Sequence, residues 1–509
     1  MPRTLNIAVE GCCHGMLDNI YAQLLTRQQQ MKKKVDLLII CGDFQAVRNV
    51  TDLGCMSCPD KYKQIGGFYR YYSGERSAPV PTIFVGGNHE ASNHMRELYY
   101  GGWVAPNIYF MGNSGVVRFG GLRIGGISGI FKDFDYAKGF FERPPFRGHA
   151  RSAMHHVRSF EAFKMLQIRQ PLDVIVSHDW PQFIERYGDT NELLRRKPFF
   201  AKEVERGDLG SPVNAMLLER LRPAWWFSAH LHVRFTAQVG TQESIFAEGW
   251  KGIPPYGHER PLTSENPGAV EPPAVANENE IIMSALSDEE SDNETEPAPT
   301  TSDEPVTFAN PSVPSRPTKF LALDKCLPRR DFLEIVEIEV PDDAAVEEPK
   351  LEYDPEWLAI LRLCNPHIPL DDSPFYPPAQ APVTATEPHL PLFADNILAR
   401  ELEWVSKHVF TNGPVAIPPN FVPVAPVPPA GTPDSASFGL ARNDGGNRGR
   451  GRGANRGRGG RHGYGQARSD APWDGPRPYT IYPNPQTDDF CKMIGIDDRL
   501  TQRRYQDPQ

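Results

Sequence analysis

No apolar run in this chain approaches the roughly 18 residues a membrane-spanning helix requires, so no spanning helix and no membrane partner are expected. Met1–Glu10 likewise lacks the charged-then-apolar pattern of a secretory leader. Cysteine is sparse. The eight cysteines in 509 residues are scattered without a disulfide-like spacing, which favours a reducing compartment. Cys55-Met56-Ser57-Cys58 has no second pair nearby, so it is read as a surface loop rather than a zinc knuckle. Charge of one sign is also modest. A net charge of -10 argues against a protein that coats nucleic acid uniformly, but acidic and basic residues segregate into separate segments. Proline is abundant, at 50 residues crowded into the second half, and it suggests a folded front and a partly unstructured back.

The front half reads as short apolar bursts, each followed by a polar loop. They are Ile7-Ala8-Val9, Val35 to Ile40, Thr82 to Val85, Leu122 to Ile127, Asp173 to Val176 and Ala224 to Phe227. Their Val, Ile and Phe content and their Gly or Pro boundaries predict buried strands. Helical patterns lie between them at Asp18 to Gln30 and Val157 to Gln167. Strands alternating with helices imply an α/β layered core. We expect a catalytic domain over 1–250 and a disordered acidic insertion over 251–316, centred on the run Asp288 to Glu296. A small α+β domain is expected over 317–410. It contains strands at Phe320 to Leu323 and Val336 to Val340, a helix opened by Asp354-Pro355, and an amphipathic helix from Asp395 to His408. A disordered tail, Pro-rich and then Arg/Gly-rich, is expected over 411–509, with an apolar island at Phe490 to Ile496 that reads as a docking segment.

Polar motifs follow five of the bursts: Cys12-Cys13-His14, Gly42-Asp43, Gly87-Asn88-His89-Glu90, Ser177-His178 and His230-Leu231-His232. Open α/β sheets gather ligands at the carboxyl ends of their strands, where residues distant in sequence converge. Each loop offers nitrogen, oxygen or sulfur donors suited to divalent metals. Cys12 and His14, like His230 and His232, sit two residues apart, a spacing that extended backbone would place on one face. One buried histidine is more often a core residue than a ligand. An ordered set directly after strands is a metal site.

The ordered set resembles the calcineurin-like metallophosphoesterase superfamily, with its D-x-H, GD, GNH[ED], later H and final H-x-H. The resemblance implies a four-layer αββα sandwich, two mixed sheets flanked by helices, with one or two metals at the strand ends. It implies that Asp43 bridges the metal positions, with Asn88, His178 and His230 at one and Cys12, His14 and His232 at the other. His89 would then be the histidine that protonates the leaving oxygen. Cys12 stands where most of the superfamily has Asp. A thiolate shifts preference toward zinc or ferrous iron, which leaves both one-metal and two-metal arrangements open.

Further blocks narrow the resemblance: CGDFQAVR at Cys41 to Arg48, FYRYYS at Phe68 to Ser73, GGNHEASNH at Gly86 to His94, GGISGIFK at Gly125 to Lys132, and KFLALDKCLPRRDF at Lys319 to Phe332. Together they resemble the lariat-debranching family of intron-turnover hydrolases. That implies metal-dependent hydrolysis (Fe²⁺, Zn²⁺ or Mn²⁺) of the 2′,5′-phosphodiester at the branch point of excised intron RNA, and nuclear residence. It also implies a lariat recognition loop at 128–157. There Lys132, Lys138, Arg143, Arg147 and Arg151 interleave with Phe131, Phe134, Tyr136, Phe140 and Phe141, as phosphate contact and base stacking require. A lid with a solvated basic face is the alternative. Tyr69, Tyr71 and Tyr72 fit base stacking and core packing equally. The run Arg448 to Arg458 suits RNA or protein contact, or a solubilising tail.

Overall fold

The computed structural model describes residues 3–144, 146, 148–246, 316–340, 348–379, 381, 392–435 and 481–501. The apolar bursts are strands, and they form two sheets. The first contains β1 (Thr4–Glu10), β2 (Leu37–Ile40), β3 (Thr82–Phe84), β4 (Gly102–Ala105) and β5 (Ile108–Phe110). The second contains β6 (Ser114–Phe119), β7 (Leu122–Ile127), β8 (Val174–Ser177), β9 (Trp225–Ser228) and β10 (Phe235–Val239). Three later strands are β11 (Thr318–Ala322), β12 (Leu333–Glu339) and β13 (Leu351–Tyr353). The six-stranded sheet runs β12-β1-β2-β3-β5-β4, and the seven-stranded sheet runs β10-β11-β9-β8-β7-β6-β13. Both mix parallel and antiparallel neighbours.

Alternation along each strand explains the layers. Ile7 and Val9 of β1, with Leu37 and Ile39 of β2, join the core shared with Val116, Ile124 and Val176 of the other sheet. Ala8, Leu38 and Ile40 face the opposite way, against Ile20, Tyr21 and Leu24 of the helix Leu17–Met31. In β7 a side chain at Gly126 would meet Val85 and Met111, while one at Gly125 would meet Met165 of the helix Ser159–Leu166. Each sheet therefore has one face on its partner and one under helices, the four-layer sandwich expected from the sequence.

The C-terminal region expected at 317–410 shares its sheets with the catalytic domain, and its strands are woven into both. β11 lies between β10 and β9, β12 pairs antiparallel with β1, and β13 closes the far edge beside β6. Asp354 caps the helix Pro355–Cys364 by accepting from Trp357 N, and its carboxylate also takes Arg118 and Arg123 at 2.9 and 2.8 Å. The helix Asp395–His408 packs on it, with the Arg362 guanidinium 3.4 Å from the Trp404 ring centroid.

The expected disordered tail is also corrected in part. Residues 411–435 lie against the body, where Tyr72 Oη accepts from Val424 N and Ala425 N at 2.7 and 2.8 Å. The apolar island falls in the helix Pro485–Ile494, whose Phe490 packs on Tyr100 and Tyr353. Its docking partner is the chain itself. All but Arg316 of the expected acidic insertion falls in residues 247–315, and the Arg/Gly-rich run falls in 436–480; both lie outside the described residues.

Candidate metal centre

β1 runs out into Cys12–His14, β2 into Asp43, β3 into Gly87–Glu90, β8 into His178 and β9 into His230–His232. Parallel pairing of β1, β2 and β3, and of β8 and β9, brings these ends to one edge of the sandwich. Backbone contacts then lock the loops together. His14 N donates to Asp43 O at 2.6 Å, Ala229 N to His178 O at 3.0 Å, and His178 Nδ1 to Cys41 O at 2.8 Å, the last crossing between the sheets.

The extended backbone expected at the paired donors is replaced by left-handed turns. φ is 46° at His14, 58° at His230 and 48° at His232, and it is 46° at Asp43 and 61° at Gln45. Such conformations are costly for non-glycine residues and persist where the surroundings over-determine them. The turns separate the two histidines of His230-Leu231-His232. The His230 ring centroid lies 5.0 Å from that of His178, whereas His232 lies 5.6 Å from His14. Two glycines are obligatory here. A Cβ at Gly42, where φ is 116°, would sit 2.2 Å from His178 Nδ1, and one at Gly87 would sit 2.2 Å from Asp43 Oδ1.

Two donor groups share Asp43. Cys12, His14, Asp43 and His232 place ligand atoms within 4.8 Å of one another. On the other side His178 Nε2 stands 3.5 Å from Asp43 Oδ1 and 3.1 Å from Asn88 Oδ1. Because His178 Nδ1 carries its proton to Cys41 O, its Nε2 presents a lone pair to two oxygens. That arrangement is repulsive unless a cation sits among them. His14 Nε2 and His232 Nε2, 3.5 Å apart, face each other similarly. Gln45 Nε2 lies 3.2 Å from His14 Nδ1, and exchanging that amide's nitrogen and oxygen lets Gln45 accept the Nδ1 proton and leaves His14 Nε2 as a donor to metal. The residues present fit divalent metals.

The electrostatics agree. Burial pushes His14 down to about 4, and His232 well below its ordinary value, so both are neutral donors near neutrality. Burial alone would raise Asp43, but His178, His89 and His14 hold its carboxyl below the usual range, and His89 N donates to it at 2.9 Å. Burial, then Asp43 and Glu10, raises the Cys12 thiol, so a proton must leave when its sulfur takes up a metal. His230 N donates to that sulfur at 3.3 Å.

His89 sits at the rim, half-buried. Its Nδ1 is held by Ser57 O at 3.2 Å, and its Nε2 lies 3.1 Å from Asn88 Nδ2. Glu90, the last residue of the Gly87-Asn88-His89-Glu90 motif, ties the loops together. Its carboxylate accepts from Phe44 N, Gln45 N and Gly87 N at 2.7, 2.8 and 3.0 Å, which binds the Asp43 loop to the Asn88 loop.

The candidate RNA contacts divide. Lys132 is half-buried and Phe134 is 55% exposed beside the His149 and His156 rings. Tyr136, Tyr69 and Tyr71 are buried, as is Tyr72. Tyr69 Oη donates to Thr432 O at 2.7 Å and Tyr71 Oη to Asp18 at 2.6 Å. Lys138 is paired to Asp135 at 2.9 Å, Arg143 reaches Leu370 O at 3.5 Å, and Arg147 lies outside the described residues. Cys55 is buried against Phe146 and Ile481 rather than on a surface loop.

Comparison with known proteins places this site. Residues 5–234 match the calcineurin-like phosphoesterase family, which defines the class of the site and implies divalent metal ions. Residues 315–444 match the lariat debranching enzyme C-terminal domain. The lariat debranching enzyme of Schizosaccharomyces pombe is 43% identical over 443 residues, covering 83% of this chain and 90% of that protein. Those of Homo sapiens and Danio rerio are 47% and 46% identical over 358 residues, covering 70% of this chain and 53% and 51% of theirs. The chain thus spans about half the length of these two vertebrate relatives. It belongs to the lariat debranching enzyme family.

Proposed function

We propose that this chain hydrolyses the 2′,5′-phosphodiester at the branch point of excised intron RNA, leaving a 2′-hydroxyl and a 5′-phosphate. The observation that carries the reading is the convergence of two donor groups on Asp43 with His89 beside them. A divalent metal held there would neutralise phosphate charge and lower the pKa of a water for attack on phosphorus. Asp43 would be the shared anionic ligand, with Cys12, His14 and His232 holding metal on one side and Asn88, His178 and His230 on the other. His89, its Nδ1 anchored on Ser57 O, delivers a proton from Nε2 to the departing 2′-oxygen. Phe134 and Lys132 meet the RNA on the recognition loop, and the Arg448 to Arg458 run adds contacts with RNA. An excised-intron substrate supports nuclear residence.

The test offers a 2′,5′-branched RNA beside its linear 3′,5′ isomer. Selective cleavage of the branch is expected, and equal cleavage of both would reduce the assignment to a general phosphodiesterase. The soft Cys12 donor favours Fe²⁺, Zn²⁺ or Mn²⁺ over Mg²⁺. Metal analysis of protein purified without added metal, followed by rescue with each ion, decides among them; rescue by Mg²⁺ alone contradicts the Cys12 argument.

A further inference from the structure

The recognition loop lies on the Asn88 side of the centre, where Gly129 N donates to Gly86 O at 2.8 Å. The opposite side, around Cys12, His14 and His232, is built by a different part of the chain. Residues 323–332 connect β11 in one sheet to β12 in the other, so they cross the edge where the donors converge. Lys325 forms an isolated parallel bridge with Cys12, and Cys326 N donates to Cys12 O at 3.2 Å. The Lys325 ammonium is close enough to act electrostatically on both His14 and His232. Lys197, at the end of the helix Thr190–Arg196, lies within electrostatic reach of Lys325 and Cys12.

The surrounding charges leave these two lysines over. Arg330 pairs with Asp324 at 3.2 Å, Arg196 with Glu192 at 2.7 Å and Arg234 with Glu334 at 2.8 Å. Neither Lys325 nor Lys197 has an ion pair with a described carboxylate, although both are half-buried. Asp324, the acid that acts electrostatically on Lys197, already takes Arg330 and the Lys325 amide, the latter at 2.8 Å. A half-buried ammonium without a counter-ion is a cost that folding alone does not explain. Beside the pair stands Phe199, 56% exposed, with the Lys197 ammonium 5.7 Å from its ring centroid. An exposed aromatic next to unpaired cations is the pattern that single-stranded RNA takes, with phosphates on the cations and a base on the ring.

We propose that Lys325, Lys197 and Phe199 form a second RNA-binding surface on the Cys12 side of the centre. It seats phosphates of the strand flanking the branch point opposite the recognition loop. The inference rests on the proposed RNA substrate and deepens it: the strand crosses the centre between two cationic and aromatic patches. Lys325 comes from a part of the chain far from the neighbouring Lys197 and Phe199, and none of the three belongs to the proposed metal-ligand set.

The test uses the full chain. Branched RNA binding is measured with His89→Ala, alone and combined with Lys325→Ala, Lys197→Ala or both, across a salt series. Each lysine change should weaken binding severalfold and lower the salt slope by roughly 0.7, the value for one single-strand phosphate contact. Phe199→Ala should weaken binding by roughly tenfold without changing that slope. In the catalytically intact chain the lysine changes should raise KM far more than they lower kcat, and Lys325→Arg should restore most of the loss. Unchanged binding and slope in the double lysine variant would overturn the surface. So would a loss of bound metal in Lys325→Ala, which would assign that residue to assembly of the centre. Lysine-dependent binding that is equal for branched and linear RNA, with no selective cleavage, would remove the debranching reading and leave the surface standing.

Discussion

At the residue scale the site is a contest between burial and coordination. His14 and His232 are driven neutral by burial, and Asp43 stays ionised because imidazoles and an amide surround it. His89 differs in being open at the rim, with one nitrogen fixed and the other facing the centre. His89→Ala should lower kcat on branched RNA by roughly 10²–10⁴-fold, with bound metal unchanged by elemental analysis. A drop in metal content would show that the ring acts as a ligand. His94, away from the centre, gives a stability test. It is buried, donates from Nδ1 to Ala46 O at 2.9 Å, and burial pushes it from 6.5 down to about 3. The unfolded chain then binds a proton the folded chain refuses. Stability from this group is complete above pH 6.5 and falls by roughly 1.4 kcal/mol per unit as pH drops toward 3. Urea unfolding at several pH values should show His94→Gln flattening the acid slope by about one proton. An unaltered slope would place the titration elsewhere.

Much of the candidate site was legible at this scale because each donor directly follows an apolar burst. Its conformation was not. A two-residue spacing looks like one face of a strand, but a left-handed turn at His14, His230 or His232 leaves no mark in residue type. The tyrosines of Phe68–Tyr72 were undecidable for a related reason. A helix of five residues shows no clear period, and here Tyr69, Tyr71 and Tyr72 are all covered. Lys325 and Lys197 were invisible as a pair, since only the crossing between sheets brings them together.

At the scale of elements, continuous apolar runs identified β1, β2, β3, β7, β8 and β9 to within a few residues, because strands buried on both faces need no polar alternation. The strands that escaped were short or interrupted. β4 and β5 have four and three residues, and β10 alternates as Phe-Thr-Ala-Gln-Val with Thr236 and Gln238 exposed. The helix at Pro355–Cys364 was readable from its cap, and Asp354 turns out to hold more than the helix. Asp354→Ala removes an N-cap and leaves Arg118 and Arg123 short of a counter-charge. A loss of about 3 kcal/mol is expected in urea unfolding. Asp354→Asn should retain the cap and recover only part of it. Equal stability of Asp354→Ala and wild type would remove the ion pairs from the account.

At the scale of the whole molecule, local pattern could not show that the residues after the insertion complete both sheets, since a pairing partner hundreds of residues away leaves no local signature. β10 and β11 are antiparallel neighbours, so the chain joining them enters and leaves at adjacent points. Replacing 247–315 by a short Gly/Ser linker should therefore leave the thermal unfolding midpoint and metal content unchanged. A large fall in either would make the segment part of the fold.

The pairing of β1 with β12 also bears on how the chain is made. Until residue 339 has left the ribosome, the open edge of β1 has no partner, and β9 lacks its neighbour β11. At roughly 5–20 residues per second, the hundred or so residues between β10 and the end of β12 take roughly 5–20 s to emerge. For that interval the nascent chain carries all of its candidate metal donors on sheets with exposed edges, the kind of surface that invites aggregation. Lys325 reaches Cys12 only near its close, so the connection that flanks the Cys12 side of the candidate centre is made after every one of the candidate donors.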